Sequence, residues 1–115
     1  MPFNFTDAPR ITNIQNITKI IAGSGPQYIQ CDVDSNPALT GPVQWYKDGF
    51  LIIDTPTDNY VINTIPGAES IFYKNMTSQL EFVDATKTDS GKYSCKATNA
   101  VGSTEVHTEM IVYCK

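Results

Sequence analysis

The sequence predicts an all-β fold, an antiparallel sandwich or barrel, and three observations support this. Short runs rich in Ile, Val, Tyr and Thr recur along the 115 residues. Turn signals separate the runs, namely Gly23-Ser24-Gly25-Pro26, Asn36-Pro37, Gly41-Pro42, Asp48-Gly49 and Pro66-Gly67. Within the runs, apolar and polar residues alternate with a period of two, which fits strands better than helices.

The alternation predicts which side of each strand faces the core. The inward residues of four strands are Ile29, Cys31 and Val33; Val43 and Trp45; Leu80 and Phe82; and Tyr93, Cys95 and Ala97. In the last strand, Gly102 to Tyr113, one side carries Val106, Thr108, Met110 and Val112. Residues 99–102 predict a tight hairpin before it, with Gly102 at positive φ.

Length and composition limit the class of protein. A chain of 115 residues has room for one core, so we expect a single domain over residues 1–115 with its core between residues 9 and 113. With 41% hydrophobic and 17% charged residues, the chain should fold. Its net charge is −4 and its basic residues are scattered, which argues against nucleic acid as a partner.

Two further features bear on the chain's origin. No apolar run approaches the roughly 20 residues that span a bilayer, so we expect no direct membrane insertion by this segment. The first ten residues lack the basic and then apolar layout of a secretory signal. We therefore expect a fragment excised from a larger multidomain protein.

One constellation is specific enough to indicate a family. Trp45 follows Cys31 by fourteen residues, and Asp89-Ser90-Gly91-Lys92-Tyr93-Ser94-Cys95 comes later. Supporting segments are Trp45-Tyr46-Lys47-Asp48-Gly49, Leu80-Glu81-Phe82 and Ala97-Thr98-Asn99-Ala100-Val101-Gly102. The order and spacing resemble the immunoglobulin superfamily, most closely its intermediate (I) set, from Pro9 to Val112.

The resemblance implies an immunoglobulin-like β-sandwich of two antiparallel sheets with Greek-key topology. It implies a disulfide between Cys31 and Cys95 that joins the sheets, with Trp45 packed against it. Closing that loop should stabilise the fold by roughly 4 kcal/mol. It also implies that the Tyr93 hydroxyl bonds back to the backbone near residues 86–89.

The remaining family positions lie around the same corner. Gly91 is expected to let the chain turn there. Family members often pair the residue at the position of Asp89 with a basic residue at the start of the fourth strand, and Lys74 is the nearest candidate in this sequence.

The first candidate interface is the outward side of the sheet that contains Cys95. Its residues are Gln44, Tyr46, Ser94, Lys96, Thr98, Glu105 and His107. A mixed polar surface with an aromatic residue is typical of a non-obligate contact, and also of any solvated sheet.

The second candidate interface is the run Phe50-Leu51-Ile52-Ile53 with the stretch that follows. The stretch from Ile53 to Ser78 is longer than an intermediate-set domain usually carries there. Its apolar residues are Tyr60, Ile62, Ile65, Ile71, Phe72 and Tyr73. Consecutive apolar residues cannot all face inward in a strand. Either an extra hairpin packs back and hides them, or they form an exposed adhesive patch.

Three sequons and the cysteines bear on location. Asn4, Asn16 and Asn75 each begin an Asn-x-Thr sequon and are candidate glycosylation sites. A disulfide and glycans would place the chain outside the cell or at its surface. The alternative is a cytosolic, muscle-type domain with reduced thiols.

The third cysteine, Cys114, lies beyond the last strand and allows three interpretations. It bonds a neighbouring domain or partner chain, it bonds a cysteine outside this segment that folds back, or it is a free thiol. The cysteines show no zinc-type spacing, so we predict no metal and no cofactor. His107 lacks a nucleophile and an orienting carboxylate, so we predict no enzyme activity.

The function expected from the resemblance is non-catalytic protein recognition. The chain would belong to an extracellular adhesion molecule, receptor ectodomain or matrix protein. Its partners would be the same or a related immunoglobulin-superfamily molecule, or neighbouring domains, and a weak homodimer is one form of this. The alternative is a structural spacer in a giant muscle-type, cytoskeletal or matrix protein.

Overall fold

The computed structural model describes residues 7–53, 59–69 and 74–114. Within these ranges the chain forms strands and one 3₁₀ turn at Lys87–Asp89. The strands are β1 (Arg10–Thr12), β2 (Ile17–Ile21), β3 (Gln27–Ser35), β4 (Gln44–Lys47), β5 (Phe50–Leu51), β6 (Tyr60–Glu69), β7 (Lys74–Phe82), β8 (Gly91–Thr98) and β9 (Ser103–Tyr113). None of the described segments is a helix long and apolar enough to cross a membrane.

The strands form two sheets that pack as a sandwich. One sheet has the order β1-β3-β7-β6 and the other the order β2-β9-β8-β4-β5. All pairs are antiparallel except β2 with β9, which run parallel. The predicted fold class is confirmed, with the refinement that the five-stranded sheet is mixed. The link 13–16, which contains Asn13 at φ 63°, carries the chain from β1 in one sheet to β2 in the other.

The core lies between the sheets and contains the residues that the alternation assigned to it. All ten predicted inward residues of β3, β4, β7, β8 and the approach to β4 are buried. In β9, Thr108, Met110 and Val112 are buried and Val106 packs against them half-buried. Ile20 and Ala85 also join the core.

Two tight turns are closed in different ways. Asp48 and Gly49 connect β4 to β5 with φ of 50° and 87°, as a type I′ hairpin requires. The prediction of a positive φ at Gly102 is wrong. The Asn99 side-chain oxygen instead accepts hydrogen bonds from the backbone N–H groups of Val101 and Gly102, at 2.9 and 3.1 Å. The Asn99 N–H also donates to the Gly102 carbonyl at 3.0 Å, so the backbone and the side chain of Asn99 together close this turn without a positive φ at Gly102.

The long stretch after Ile53 contains regular sheet. Its described part holds β6 and half of β7, which pair as an antiparallel hairpin within the four-stranded sheet, with a register shift between Pro66 and Glu69. Ile62 packs against the core, whereas Ile65 is exposed. The residues Ile71, Phe72 and Tyr73 lie outside the described ranges.

Candidate functional site

The disulfide and the tryptophan hold the two sheets together at the centre of the sandwich. Cys31 of β3 and Cys95 of β8 form the predicted bond, and both are fully buried. Trp45 lies beside Cys95 in the register of β4 and β8, and Ser78 lies beside Cys31 in that of β3 and β7. The Trp45 Nε1–H donates to Ser78 Oγ at 2.9 Å, so a hydrogen bond crosses the core next to the disulfide.

Tyr93 fixes the corner that leads into β8. Its hydroxyl donates to the backbone carbonyl of Asp89 at 2.6 Å, as the resemblance implied. Burial raises the pKa of the Tyr93 phenol well above its usual range, and the neighbouring Tyr60 adds to the rise. The Phe82 ring lies edge-on to both tyrosine rings, with centroids 5.4 Å apart in each pair. The Tyr93 side chain is therefore held in place at this corner, and its phenol stays uncharged at neutral pH.

The buried carboxylate of Asp89 has partners that the sequence did not reveal. It accepts a hydrogen bond from the Thr86 backbone N–H at 2.9 Å, which closes the 3₁₀ turn. Asn59 Nδ2 and the Tyr60 hydroxyl also donate to it, at 3.4 and 3.5 Å. The side chain of Lys74 lies outside what the structure describes, so the ion pair with Asp89 stays a prediction.

Gly91 makes room for a neighbouring carboxylate. Its φ is not in the left-handed region, and a Cβ added there would lie 3.0 Å from Asp48 Oδ2. The other oxygen of Asp48 accepts a hydrogen bond from the Lys92 N–H at 3.0 Å. The Asp48 N–H in turn donates to the Lys92 carbonyl at 2.7 Å. The role of Gly91 is thus to let the β4–β5 turn approach β8.

The outward side of the five-stranded sheet is polar and partly bonded to itself. Gln44, Glu105 and His107 are exposed, and Tyr46, Lys96 and Thr98 are half-buried. Ser94 also points to this side but is buried, and its hydroxyl donates to Glu105 Oε2 at 2.7 Å. The register places Lys96 between Gln44 and Glu105.

An apolar surface continues from this side to the edge of the sheet. Leu51 pairs with Tyr46, and since the adjacent Trp45 points into the core, both point outward. Phe50, Ile53 and Leu51 are 78%, 64% and 48% exposed. Phe50 pairs with Lys47 and therefore points to the other side of β5. We call Tyr46, Phe50, Leu51 and Ile53, which together lie around this edge, the apolar corner. Ile52 is the exception in the run, because it packs against the core.

An open groove lies beside the apolar corner. Its volume is about 390 Å³, and its lining residues are Lys47, Asp48, Phe50, Leu51, Ile52, Ile53 and Tyr60. Tyr60 is half-buried with its ring against Phe82, so it forms the floor of the groove more than an exposed contact. Three of the predicted interface residues, Phe50, Leu51 and Ile53, thus line this groove together, and Ile52 and Tyr60 lie beneath them.

The other predicted site residues lie elsewhere. Asn16 is exposed just before β2, and Asn75 is half-buried within β7. Asn4 lies outside the described residues. Cys114 is exposed just after β9 and bonds neither of the other two cysteines, so its three interpretations remain open. Among the described residues no three His, Cys, Asp or Glu side chains cluster in a way that would hold a metal ion.

Known proteins resemble this chain in sequence and in fold. It is 34% identical over 80 residues to Muscle M-line assembly protein unc-89 of Caenorhabditis elegans, covering 70% of this chain and 1% of that protein. It is 28% identical over 102 residues to Junctional adhesion molecule B of Homo sapiens, covering 83% of this chain and 30% of that protein. The chain therefore spans a minor part of these relatives.

A solved structure of Dpr2 Ig1-Ig2 in complex with DIP-Theta Ig1-Ig3 has the same fold. The TM-score is 0.74 at 23% identity, and the match covers 94% of this chain and 33% of that one. The sequence profile of the Immunoglobulin I-set domain matches residues 9–112, almost the whole chain. The chain therefore belongs to the immunoglobulin I-set family.

Proposed function

We propose that this chain is a protein-recognition domain of an extracellular adhesion molecule, receptor ectodomain or matrix protein, and that it binds its partner through the apolar corner. The observation that carries the proposal is the exposure of Phe50, Leu51 and Ile53 together on one short hairpin. Grouped exposed apolar side chains on a folded domain typically mark an interaction surface. Residues 1–115 would form one domain of a larger protein.

One turn and two hydrogen bonds fix the hairpin that carries the apolar corner. The type I′ turn fixes Asp48 and Gly49, the Asp48 carboxylate bonds the Lys92 N–H, and the Ile52 N–H donates to the Trp45 carbonyl at 2.9 Å. A rigid surface loses little conformational entropy when a partner docks, so more of the contact energy appears as affinity. This supports recognition rather than a surface that is apolar by chance.

Polar residues on the outward side of the same sheet lie next to the apolar corner. The Tyr46 hydroxyl donates to Gln44 Oε1 at 3.3 Å, and Lys96 and Glu105 continue the row of polar residues from Gln44 across the sheet. Polar groups beside an apolar surface match the apolar centre and polar edge of protein interfaces. The partner we favour is a second copy of this chain or a related immunoglobulin domain. Similarity to Junctional adhesion molecule B supports that class of partner.

A structural spacer is the second candidate, since Muscle M-line assembly protein unc-89 is also similar to this chain. In a reducing compartment Cys31 and Cys95 would be thiols, whereas an extracellular chain would keep them bonded. Mass measurement of the protein isolated from its natural source, alkylated without reduction, separates the two. Unalkylated Cys31 and Cys95 support the extracellular proposal, and alkylation of both supports the muscle-type spacer.

Binding itself is tested with a matched pair of variants. The purified chain, displayed in many copies on beads, is mixed with beads that carry the same chain or other immunoglobulin-superfamily ectodomains. Phe50→Lys should abolish the aggregation of beads or the capture of an ectodomain. The control Val101→Lys changes a residue as exposed as Leu51, at 48%, on the distant turn before β9, and should bind normally. Equal binding by both variants would refute the proposed surface.

A further inference from the structure

The opposite edge of the five-stranded sheet is open. β2 is its outermost strand, and among the described residues β9 is the one strand it pairs with. The Glu109 N–H donates to the Asn16 carbonyl, and the Ala22 N–H donates to the Tyr113 carbonyl. In a parallel ladder alternate residues bond the neighbour, so Ile17 and Lys19 direct their backbone groups to the free edge. Such an edge is a template for pairing with another chain.

The side chains beside this edge are largely apolar. Ile20 is buried, so the odd-numbered residues of β2 point outward, and Ile17 and Ile21 are 53% and 50% exposed. Across the register, Ile111 lies beside Lys19 and the exposed Tyr113 lies beside Ile21, whereas the exposed Glu109 lies beside Ile17. We call Ile17, Ile21, Ile111 and Tyr113 the edge strip. On β2, Lys19 supplies the one charge that discourages strand pairing there.

An N-glycosylation sequon lies at the start of β2. Asn16-Ile17-Thr18 has an acceptor asparagine that is exposed and lies directly before β2. Its backbone carbonyl is held by Glu109, so a sugar attached to its side chain would start from a fixed point beside Ile17. N-linked glycans are bulky and solubilising. A glycan at Asn16 would therefore cover a part of the described surface where an open edge and apolar side chains occur together.

The sequon at Asn75 is a poorer site. Asn75 is half-buried inside β7, opposite Asp34 of β3, and the backbone of Gly67 comes so close that a Cβ there would lie 3.0 Å from the Asn75 carbonyl oxygen. The surface around it needs no cover, because Thr77 and Gln79 donate hydrogen bonds to Asp32 and Gln30 of the neighbouring strand.

We propose that Asn16 carries an N-linked glycan that covers the free edge of β2 and the edge strip, and thereby prevents edge-to-edge association of the chain. The inference rests on the proposed extracellular location. The glycan would also limit which edge of the sheet can bind a partner, because β2 and β5 are opposite edges of one sheet. A glycan on the β2 edge leaves the apolar corner at the β5 edge open.

Attachment is tested on the full chain secreted from human cells with an added leader. Trypsin cleaves after Arg10 and Lys19, so the peptide 11–19 contains the Asn16 sequon alone, and cleavage after Lys74 and Lys87 isolates the Asn75 sequon. Removal of the glycan by a peptide amidase in heavy-oxygen water should convert Asn16 to labelled aspartate in most of the 11–19 peptide. Recovery of that peptide unmodified would overturn the proposal.

The covering role is tested by sedimentation velocity over a concentration series. All samples carry Phe50→Lys, which by the proposal removes association through the apolar corner. In this background Asn16→Gln should shift the chain toward dimers and larger species, while the chain with Asn16 intact and the control Asn75→Gln stay monomeric. Removing the glycan enzymatically from the folded chain with Asn16 intact should have the same effect, and adding Ile17→Lys to Asn16→Gln should reverse it. If Asn16→Gln and the enzyme-treated chain sediment like the glycosylated chain, the covering role is wrong.

Failure of this inference is distinguishable from failure of the proposed function. Partner binding depends on the apolar corner, so Phe50→Lys reports on recognition and Asn16→Gln on the covered edge. An unmodified Asn16 with binding that Phe50→Lys abolishes would refute the glycan alone. A glycan at Asn16 with binding unaffected by Phe50→Lys would refute the recognition surface alone.

Discussion

The indole N–H of Trp45 donates to the hydroxyl oxygen of Ser78 across the sandwich, 2.9 Å away. The two residues are the lateral neighbours of Cys95 and Cys31, so this hydrogen bond runs beside the disulfide. The sheets are thus joined at their centre by one covalent and one polar link. A buried indole N–H without a partner is costly, which makes Ser78 a structural residue.

Replacing Ser78 with alanine should lower the free energy of unfolding by about 1–3 kcal/mol, because it leaves the Trp45 N–H buried without an acceptor. Urea unfolding followed by Trp45 fluorescence measures this. The control is Ser103→Ala, an exposed hydroxyl in β9. Its effect should stay within about 0.5 kcal/mol. Equal effects of the two substitutions would show that the hydrogen bond does not matter.

Tyr93 should make the fold sensitive to high pH. Its phenol pKa is raised by burial, so the folded state keeps the proton while the unfolded state loses it above about pH 10. The contribution of the Tyr93 phenol to the free energy of unfolding is therefore fully present below about pH 10 and decreases above it.

Tyr93→Phe isolates that contribution. At pH 7 the variant should be about 1–2 kcal/mol less stable, because the Asp89 carbonyl loses its donor. Thermal unfolding of both proteins from pH 7 to 11 should show the difference shrinking above pH 10. A difference that stays constant over this range would contradict the assigned role of the phenol.

Loss of the disulfide should cost about 2–5 kcal/mol, as is typical for a small domain. The bond closes a loop between residues 64 positions apart in the sequence. The pair Cys31→Ala and Cys95→Ala, compared with wild type by denaturant unfolding, measures the cost. Cys114→Ala is the matched control, since its thiol is exposed, and its unfolding midpoint should not move. A double variant as stable as wild type would refute the role of the bridge.

Gly91 and Asp48 should be coupled. Gly91→Ala should destabilise by about 1 kcal/mol, because the added methyl group displaces the Asp48 carboxylate from the Lys92 N–H. Asp48→Gly keeps the positive φ and removes the carboxylate. In the Asp48→Gly background, Gly91→Ala should leave the free energy of unfolding almost unchanged. Additive costs in the double-mutant cycle would mean that the glycine serves another purpose.

The sequence predicted the centre of the fold well, because there each requirement is local. Alternation fixes which residues of β3 and β8 are buried, and Cys31, Trp45 and Cys95 identify the family through their spacing. The Tyr93 hydrogen bond follows from the same motif.

The rest depends on contacts between segments far apart in the sequence. The parallel pairing of β2 with β9 depends on how the link 13–16 crosses between sheets. Asn59 and Tyr60 reach Asp89 only because β6 lies beside β7, and no local pattern marks them. Pro66 and polar residues such as Asn63 obscured β6 in the stretch after Ile53.

The candidate site was predicted in composition but not in shape. The run from Phe50 to Ile53 was expected to be partly exposed, and the structure adds that Ile52 packs against the core, while Leu51 lies beside Tyr46 and Phe50 beside Lys47. Ser94 pointed outward as predicted, yet its bond to Glu105 removes it from the surface. Such choices depend on cross-strand register, which a single sequence does not contain.

The central claim is that the apolar corner is the binding surface, and hydrogen exchange tests it most directly. Backbone exchange is measured for the chain alone and when saturated with the partner found by bead binding, a second copy included. The account predicts slower exchange in residues 48–53, with little change in residues 99–103 at the far turn. Unchanged exchange in residues 48–53, with protection confined to another surface, would contradict it.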